Sequence, residues 1–478
     1  LTLAVADSIH ILVTAFQQMA QGLSRRAALV RSLELNMQPV AITSLTTAIG
    51  FLSMNFSDAP PFHDLGNIVA VGVTAAWLYA ITLLPALASL LPLRPQRARA
   101  RIRPAMEALA AFVIRRSRPL LYGIGAAALL LLTGIPRIEL NDNFMEYLDP
   151  RYPVRQASAF VQEHLTGMDA IEYSLPAAGS GGIAEPEYLE KLEAFAEWLR
   201  AQPDVVHVNS LTDVLKRLNR SLHGDDPAWY RLPESRELAA QYLLLYEMSL
   251  PYGLDLNNRI SIDKSATRLT VLLRNQTARS LRDLDARARA WLAANAPPYM
   301  QTRGSGLSLM FAHVSETNIN AMLGGSLLAL VLISLLLILA LKSLRYGLLS
   351  MVPNLGPALM AFGIWGYAVG QVGLASAVLV ALTLGIVVDD TVHFLSKYLR
   401  ALREHATPQA AVRHAFGTVG TAMWVTTLIL VAGFGTLALS GYKVNADMGL
   451  LTALTIVLAL VLDFLLLPAL LLRMERRA

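Results

Sequence analysis

The stretch Gly385-Ile-Val-Val-Asp389-Asp390-Thr391-Val-His393 sits in a run from Ala375 to Leu395 that carries no charge besides Asp389 and Asp390. As a helix rising 1.5 Å per residue, that run is about 32 Å long, enough to cross the ~30 Å hydrocarbon core of a bilayer. Each carboxylate costs about 2.5–3.5 kcal/mol to insert there, so function is the first reading. Asp390 and His393 are three apart and Asp389 and His393 four apart, so both acids reach the imidazole side of the helix. The same D-x-x-H spacing opens the chain, in Ala4-Val-Ala-Asp7-Ser-Ile-His10.

Laid over each other without a gap, residues 1–94 and 384–477 keep their rarest residues in register. Asp7 falls on Asp390, His10 on His393, Ala27-Ala28 on Ala410-Ala411, and Thr43 on Thr426. Gly50-Phe51 falls on Gly433-Phe434, Asp64 on Asp447, and Leu83-Leu-Pro85-Ala-Leu87 on Leu466-Leu-Pro468-Ala-Leu470. Two apolar stretches would share leucines by chance, but not prolines, aspartates and glycines over ninety positions. Both copies begin on one side of the membrane, which makes them parallel repeats of the kind found in transporters.

Composition agrees with this reading. Of the 478 residues, 54% are hydrophobic and 16% charged, and mean hydropathy is +0.46. That composition implies a multi-pass membrane protein with a soluble part. The net charge of +5 comes from residues in short loops and marks topology, not nucleic-acid binding. No cysteine is present, so disulfides and thiolate metal sites are excluded.

Apolar spans are predicted at 40–56, 66–91, 119–135, 320–341, 346–367, 375–395, 420–439 and 448–472. A ninth, Leu1–Phe16, reaches only about 24 Å, and the chain is expected to be a C-terminal piece of a longer protein. Loops holding Arg25, Arg26 and Arg31, then Arg94 through Arg118, Lys342 and Arg345, and Lys397, Arg400, Arg403 and Arg413 share one side with the tail Arg473, Arg476 and Arg477. The positive-inside rule makes that side cytoplasmic and puts 136–319 outside.

Segment 136–319 reads as alternating strands and helices. Strands are expected at 170–175, 205–209, 268–274 and 299–303. Helices are expected at 186–202 and 280–294, the latter with Asp283 completing a capping box from Ser280, and a helical insertion at 211–222 and 234–248. Two β-α-β halves predict a split, ferredoxin-like α+β sandwich.

These motifs together resemble the resistance–nodulation–division superfamily. They are G-x-x-x-D-D-T-x-H, Ala410-Ala411, Gly433-Phe434, Pro353-Asn354-x-x-Pro357 and the Leu-Leu-Pro-Ala-Leu that ends each half. The nearest resemblance is to the predicted-exporter, MMPL-like branch, related to sterol-sensing-domain transporters. The resemblance implies a polytopic helical fold of two six-helix halves in the cytoplasmic (inner) membrane. It implies residues 1–94 as helices 4–6, 95–118 as a cytoplasmic linker and 119–135 as helix 7. It further implies 136–319 as an extracytoplasmic porter-like domain and 320–478 as helices 8–12. The implied activity is proton-driven export of hydrophobic or lipid-like molecules by a secondary transporter, not an enzyme. The implied partners are protons, membrane lipids and a lipidic substrate, with no nucleic acid, no cofactor and room for a homo-oligomer. Two departures are plain. Multidrug pumps of the superfamily pair acids of helix 4 with a lysine in helix 10, whereas helix 10 here, Ala375–Leu395, holds Asp389-Asp390 and no lysine, and Ala6 stands where the second copy has Asp389.

The proton-coupling candidates are Asp7, Asp389, Asp390, His10, His393, Thr43, Thr426 and Asp463. For the acids the plain alternative is helix–helix hydrogen bonding, which averages only about 0.6 kcal/mol in membranes and does not offset a buried charge. For the histidines it is an interfacial ring that snorkels, and for the threonines ordinary packing. Asp463 is a buried charge whose counterpart is Ala80. Two rival functions remain open. One is a metal site built from the paired D-x-x-H helices, although such sites usually add glutamates that these helices lack. The other is a sterol-sensing-like sensor or scaffold without transport.

Overall fold

The computed structural model describes residues 2–92, 99–140, 147–251, 256–404 and 407–475. Arg94 and Arg97 of the expected linker and Arg476 and Arg477 of the tail lie outside the described residues. The chain forms two compact units, one of residues 1–140 and 317–478 and one of residues 141–316.

The first unit is helical. It opens with α1 (Thr2–Ala20), α2 (Arg25–Leu52), α3 (Pro60–Ile81), α4 (Leu83–Leu90) and α5 (Arg99–Leu132), followed by the short strand β1 (Glu139–Leu140). Among the described residues, eight helical segments are long and apolar enough to span a membrane, one for each complete span expected from the sequence. Their ends differ, because hydropathy registers the bilayer core and not the turns beyond it. α2 begins at Arg25, so Arg25, Arg26 and Arg31 belong to the helix, whose cap is Ser24, accepting from the Ala27 amide. The described part of the 95–118 linker is also helical and continues into the span predicted at 119–135, with a kink at Arg116 ahead of Pro119.

The second unit holds α6 (Pro153–His164), β2 (Asp169–Pro176), α7 (Pro186–Arg200), β3 (Val205–Asn209), α8 (Leu211–Leu222), α9 (Arg236–Ser249), β4 (Ala266–Leu273), α10 (Ala278–Asn295) and β5 (Gly304–Ser305). Its sheet runs β3-β4-β2-β5, antiparallel throughout. Counting only these strands, the order is 4-1-3-2 read from β5, the split β-α-β arrangement. Ile171, Tyr173 and Leu175 of β2 and Leu269, Val271 and Leu273 of β4 point into a core shared with Leu192, Phe195 and Leu199 of α7 and with Leu284 and Leu292 of α10.

Two local expectations fail here. Residues 298–300 form a 3-10 turn and the last strand is Gly304–Ser305, because Pro298, whose ring fixes φ in the range of a helical first position, opens that turn. Helix α10 starts at Ala278, capped by the Thr277 hydroxyl, which accepts from Ser280 N at 3.0 Å. The expected Ser280–Asp283 capping box therefore lies inside the helix.

The chain then continues through α11 (Leu307–Leu341), α12 (Leu344–Ala368), β6 (Gln371–Val372), α13 (Leu374–Arg403), α14 (Pro408–Ala415), α15 (Thr421–Leu437), α16 (Lys443–Val461) and α17 (Leu467–Glu475). β6 pairs in parallel with β1. Single π-turns at Phe416–Gly420 and Leu462–Leu466 join α14 to α15 and α16 to α17. α2 and α13 touch backbone to backbone. A Cβ added at Gly50 would lie 3.0 Å from Gly385 N, and one at Gly385 would lie 3.0 Å from Thr47 Cα. The Thr47 hydroxyl donates to Gly385 O at 2.9 Å across this contact. The glycine of G-x-x-x-D-D is thus a point of close backbone approach between α2 and α13.

Candidate functional site: a carboxylate cavity beside a histidine stack

The site is built on α1 and α13, the helices that carry the repeated D-x-x-H. His10 and His393, equivalent in the repeat, stack with ring centroids 3.7 Å apart and planes 6° from parallel. They are 1% and 0% exposed, so neither ring snorkels to an interface. His10 Nε2 and both nitrogens of His393 have no hydrogen-bond partner among the described residues. Asp389 Oδ1 lies 3.5 Å from His393 Nε2, one turn away on the same helix.

Beside the stack, Asp7 and Asp389 line one cavity of about 30 Å³ together with Thr43, Ser44 and Thr47. That is room for about one water between polar walls. Ser44 donates to Asp7 Oδ2 at 2.8 Å. The acid facing Asp7 is therefore Asp389, whose repeat mate is Ala6, and not Asp390, its own mate.

Asp390 points elsewhere. It lies beside Thr427, the repeat mate of Ser44, although Asp390 Oδ1 and Thr427 Oγ1 both lack a hydrogen-bond partner among the described residues. Next in sequence, the Thr391 hydroxyl donates to Asp463 Oδ1 at 2.8 Å. Asp463 is fully buried in the π-turn, and its Oδ2 has no hydrogen-bond partner among the described residues. π-turns break the regular ladder and are frequent at functional sites.

Thr43 and Thr426 spend their hydroxyls on their own helices. Thr43 donates to Val40 O at 3.1 Å, and Thr426 approaches Ala422 O at 3.0 Å and Met423 O at 2.9 Å. Thr43 nevertheless lines the cavity of Asp7 and Asp389; its neighbour Ser44, and Thr427 in the other copy, also flank carboxylates and are not among the candidates read from the sequence. A hydroxyl at both copies of one repeat position was the available signal. Lys397, which the sequence places in a cytoplasmic loop, belongs to the site's surroundings as well. It lies within α13, 5% exposed, donating to Leu35 O at 2.8 Å and Asn36 Oδ1 at 3.3 Å. It is one turn beyond His393.

Ligand atoms of His10, Asp389 and His393 lie within 4.8 Å of one another. The stack nevertheless opposes a shared metal. A metal binds an imidazole nitrogen about 2.0–2.1 Å away in the ring plane, and two nearly parallel stacked rings with centroids 3.7 Å apart do not aim their nitrogens at one point between them. Asp7 and Asp390 do not join the group, so the paired D-x-x-H motifs do not converge as the metal reading requires.

Comparisons with known proteins follow the same lines. The model of the MMPL family matches residues 1–120 and 156–478. A membrane protein of Methanocaldococcus jannaschii is 35% identical over 150 residues, covering 30% of this chain and 38% of that protein. The siderophore exporter MmpL5 of Mycobacterium tuberculosis is 28% identical over 173 residues, covering 35% of this chain and 18% of that protein. The chain thus spans well under half the length of these relatives. Among solved structures, the hedgehog release protein Disp of the water bear Hypsibius dujardini superposes with a TM-score of 0.63 at 14% identity, over 99% of this chain and 62% of that one. This likeness shows the fold. With the family model matching over most of its length, the chain belongs to the MMPL family.

Proposed function

We propose that this chain is the proton-coupling part of a secondary transporter that exports hydrophobic or lipid-like molecules across or out of the cytoplasmic membrane. The observation that carries the reading is the cavity shared by Asp7 and Asp389. It places two carboxylates from repeat-equivalent helices around room for one water, where a proton can pass between halves. Two acids in one poorly solvated site cannot both be charged cheaply, so the pair holds and releases a proton as the halves move. A proton crossing the membrane potential is worth about 2.3 kcal/mol per 100 mV, enough for roughly a fortyfold substrate gradient. Membership of the MMPL family and the likeness to a siderophore exporter support export. In this reading residues 1–94 are helices 4–6 of a first half and 119–135 is helix 7. Residues 320–478 are helices 8–12, and the α/β unit faces outward.

The test is infrared difference spectroscopy of the intact protein in liposomes between pH 5 and 8, with Asp7→Asn and Asp389→Asn variants. A protonated-carboxyl band should appear on acidification and be lost in either variant, together with proton flux reported by trapped pyranine. No titrating band, or unaltered flux in both variants, would leave the acids structural and favour a sensor. A band that instead followed added Zn²⁺ would favour a metal. Orientation is tested separately: cysteines at Ser180 and Ser221 should react with an impermeant thiol reagent added outside intact spheroplasts.

A further inference from the structure

The helices α7 and α10 cover one face of the α/β sheet, and the other face carries a second, unassigned feature. Along β4, Leu269, Val271 and Leu273 enter the core, so Arg268, Thr270 and Leu272 face away from it. A bulge between Val205 and His207 in β3 sets His207 beside Leu272 on that same face. Together with the start of α8 and the segment 256–260, these residues enclose a pocket of about 190 Å³. Its floor is apolar, formed by Leu211, Val214, Leu256, Ile260 and Leu272.

Its rim is cationic. Arg268 is neutralised by Glu172, to which it is ion-paired, and also donates to Asn258 O at 3.2 Å. Among the described residues the Arg259 guanidinium meets no carboxylate, and its one side-chain bond is NH1 to the neutral Asn209 Oδ1 at 2.9 Å. The backbone holds it in place: Arg259 N donates to Leu256 O at 2.8 Å, Arg268 N donates to Arg259 O at 2.7 Å, and Ile260 bridges to Thr267. A fixed arginine with free N–H groups above a greasy floor matches an anion that continues into a hydrocarbon chain.

We propose that this pocket binds the anionic head and first carbons of a single-chain amphiphile, a carboxylate of the fatty-acid type. Arg259 donates to the carboxylate, and the adjoining methylenes cover Leu272, Val214 and Ile260. The volume equals roughly six water-sized units at about 30 Å³ each, which suits a head and a short length of chain rather than a whole lipid. The inference deepens the export reading by giving the cargo a charge and a landing point outside the proton site. It stands or falls independently of proton coupling.

The test uses the intact protein in nanodiscs and a ten-carbon carboxylic acid bearing a diazirine, with cross-links mapped by mass spectrometry. Labelling is expected at 211–214 or 256–260 and should be displaced by octanoate. Each added methylene of the competitor should improve displacement about fourfold until the pocket is full. Arg259→Gln, an exposed substitution, should weaken labelling about tenfold, as loss of a charge-assisted bond predicts. Thr270→Glu, which brings a competing carboxylate to the rim, should do the same. Equal labelling by the matching alcohol, or labelling unchanged in both variants, would overturn the proposal. Displacement by inorganic phosphate at octanoate concentrations would make it a free-anion site and overturn it as well. Asp389→Asn should leave labelling intact, which separates failure of this proposal from failure of the proton reading.

Discussion

The imidazole of His10 lies flat on that of His393, 3.7 Å away, although the two open and close a separation of most of the chain. Because they occupy the same position in each repeat, the pseudo-two-fold axis must pass between the rings. Any motion of one half against the other slides or parts this stack.

Two cations at that separation would repel by about 4 kcal/mol at an effective dielectric constant near 20, so at most one ring is charged at a time. Replacing either histidine by Phe keeps an aromatic stack, worth about 0.5–1.5 kcal/mol, and should leave the protein folded. If the rings relay protons from the cavity, proton flux should fall at least about tenfold in either single variant, and the double variant should be no worse than the singles. Normal flux in the His10→Phe, His393→Phe protein would reduce the stack to packing.

The hydroxyls beside the acids give a sharper comparison. Ser44→Ala removes the donor at 2.8 Å from Asp7, and hydrogen bonds to charged groups contribute about 1.5–3 kcal/mol. Pyranine-reported flux should drop about tenfold or more. Thr426→Val, whose hydroxyl serves only its own helix, should stay within about twofold of the parent, since only a local back-bond is lost. Equal effects at both positions would show that general packing controls the rate.

These two positions also mark what could be read from the sequence. Apolar run lengths and the gapless repeat carried the spans and the relation between α1 and α13, because both are properties of the chain alone. Which of two adjacent side chains faces a partner is an angular matter. Neighbours on a helix differ by about 100° in direction, so Thr427 against Thr426, and Asp389 against Asp390, is decided by how α1, α13 and α15 pack. Lys397 was legible in part. It lies four residues from His393 on the same face, but a basic residue near a span's end reads as a topology marker. In the α/β unit the strand order followed from the alternation of elements, while Pro297-Pro298 displaced the last strand.

The bond between Thr391 and Asp463 is a separate element of stability within the second half. Thr391→Val leaves a fully buried carboxyl without its donor, at a cost of about 1–3 kcal/mol. The intact protein should unfold at a correspondingly lower temperature in detergent, and Thr391→Ser should restore most of the loss. If Thr391→Val melts like the parent, Asp463 has found another partner and the π-turn does not depend on this bond.

The α/β unit should show a pH dependence of its own. Glu193 on α7 is ion-paired with Lys216 on α8, near Arg200 and Asp213. Burial pushes the Glu193 carboxyl up, but bonds from Lys216 and Thr212 and the nearby positive charges outweigh it, and the group sits below its usual 4.5. Burial pushes Lys216 down, and its bond to Glu193 and the surrounding acids reverse this, leaving it above its usual 10.5. A carboxylate held low in the folded state stabilises fully above about pH 4.5, and the contribution disappears as pH falls through the lower folded value. The lysine acts in the opposite sense: its share is complete below about 10.5 and disappears as pH rises through the higher folded value. Hydrogen-exchange protection factors at the core strands β2 and β4, measured in the intact protein and referred to the intrinsic rate at each pH, should therefore fall below about pH 4.5 as this share of stability is lost. Glu193→Gln should cost about 1–2 kcal/mol at pH 7, modest because the side chains are partly solvated, and should flatten that acid response. Lys216→Met should give a similar loss, and the double variant less than the sum, since the two remove one interaction. An acid profile unchanged in Glu193→Gln would place the acid sensitivity of this unit in some other carboxylate.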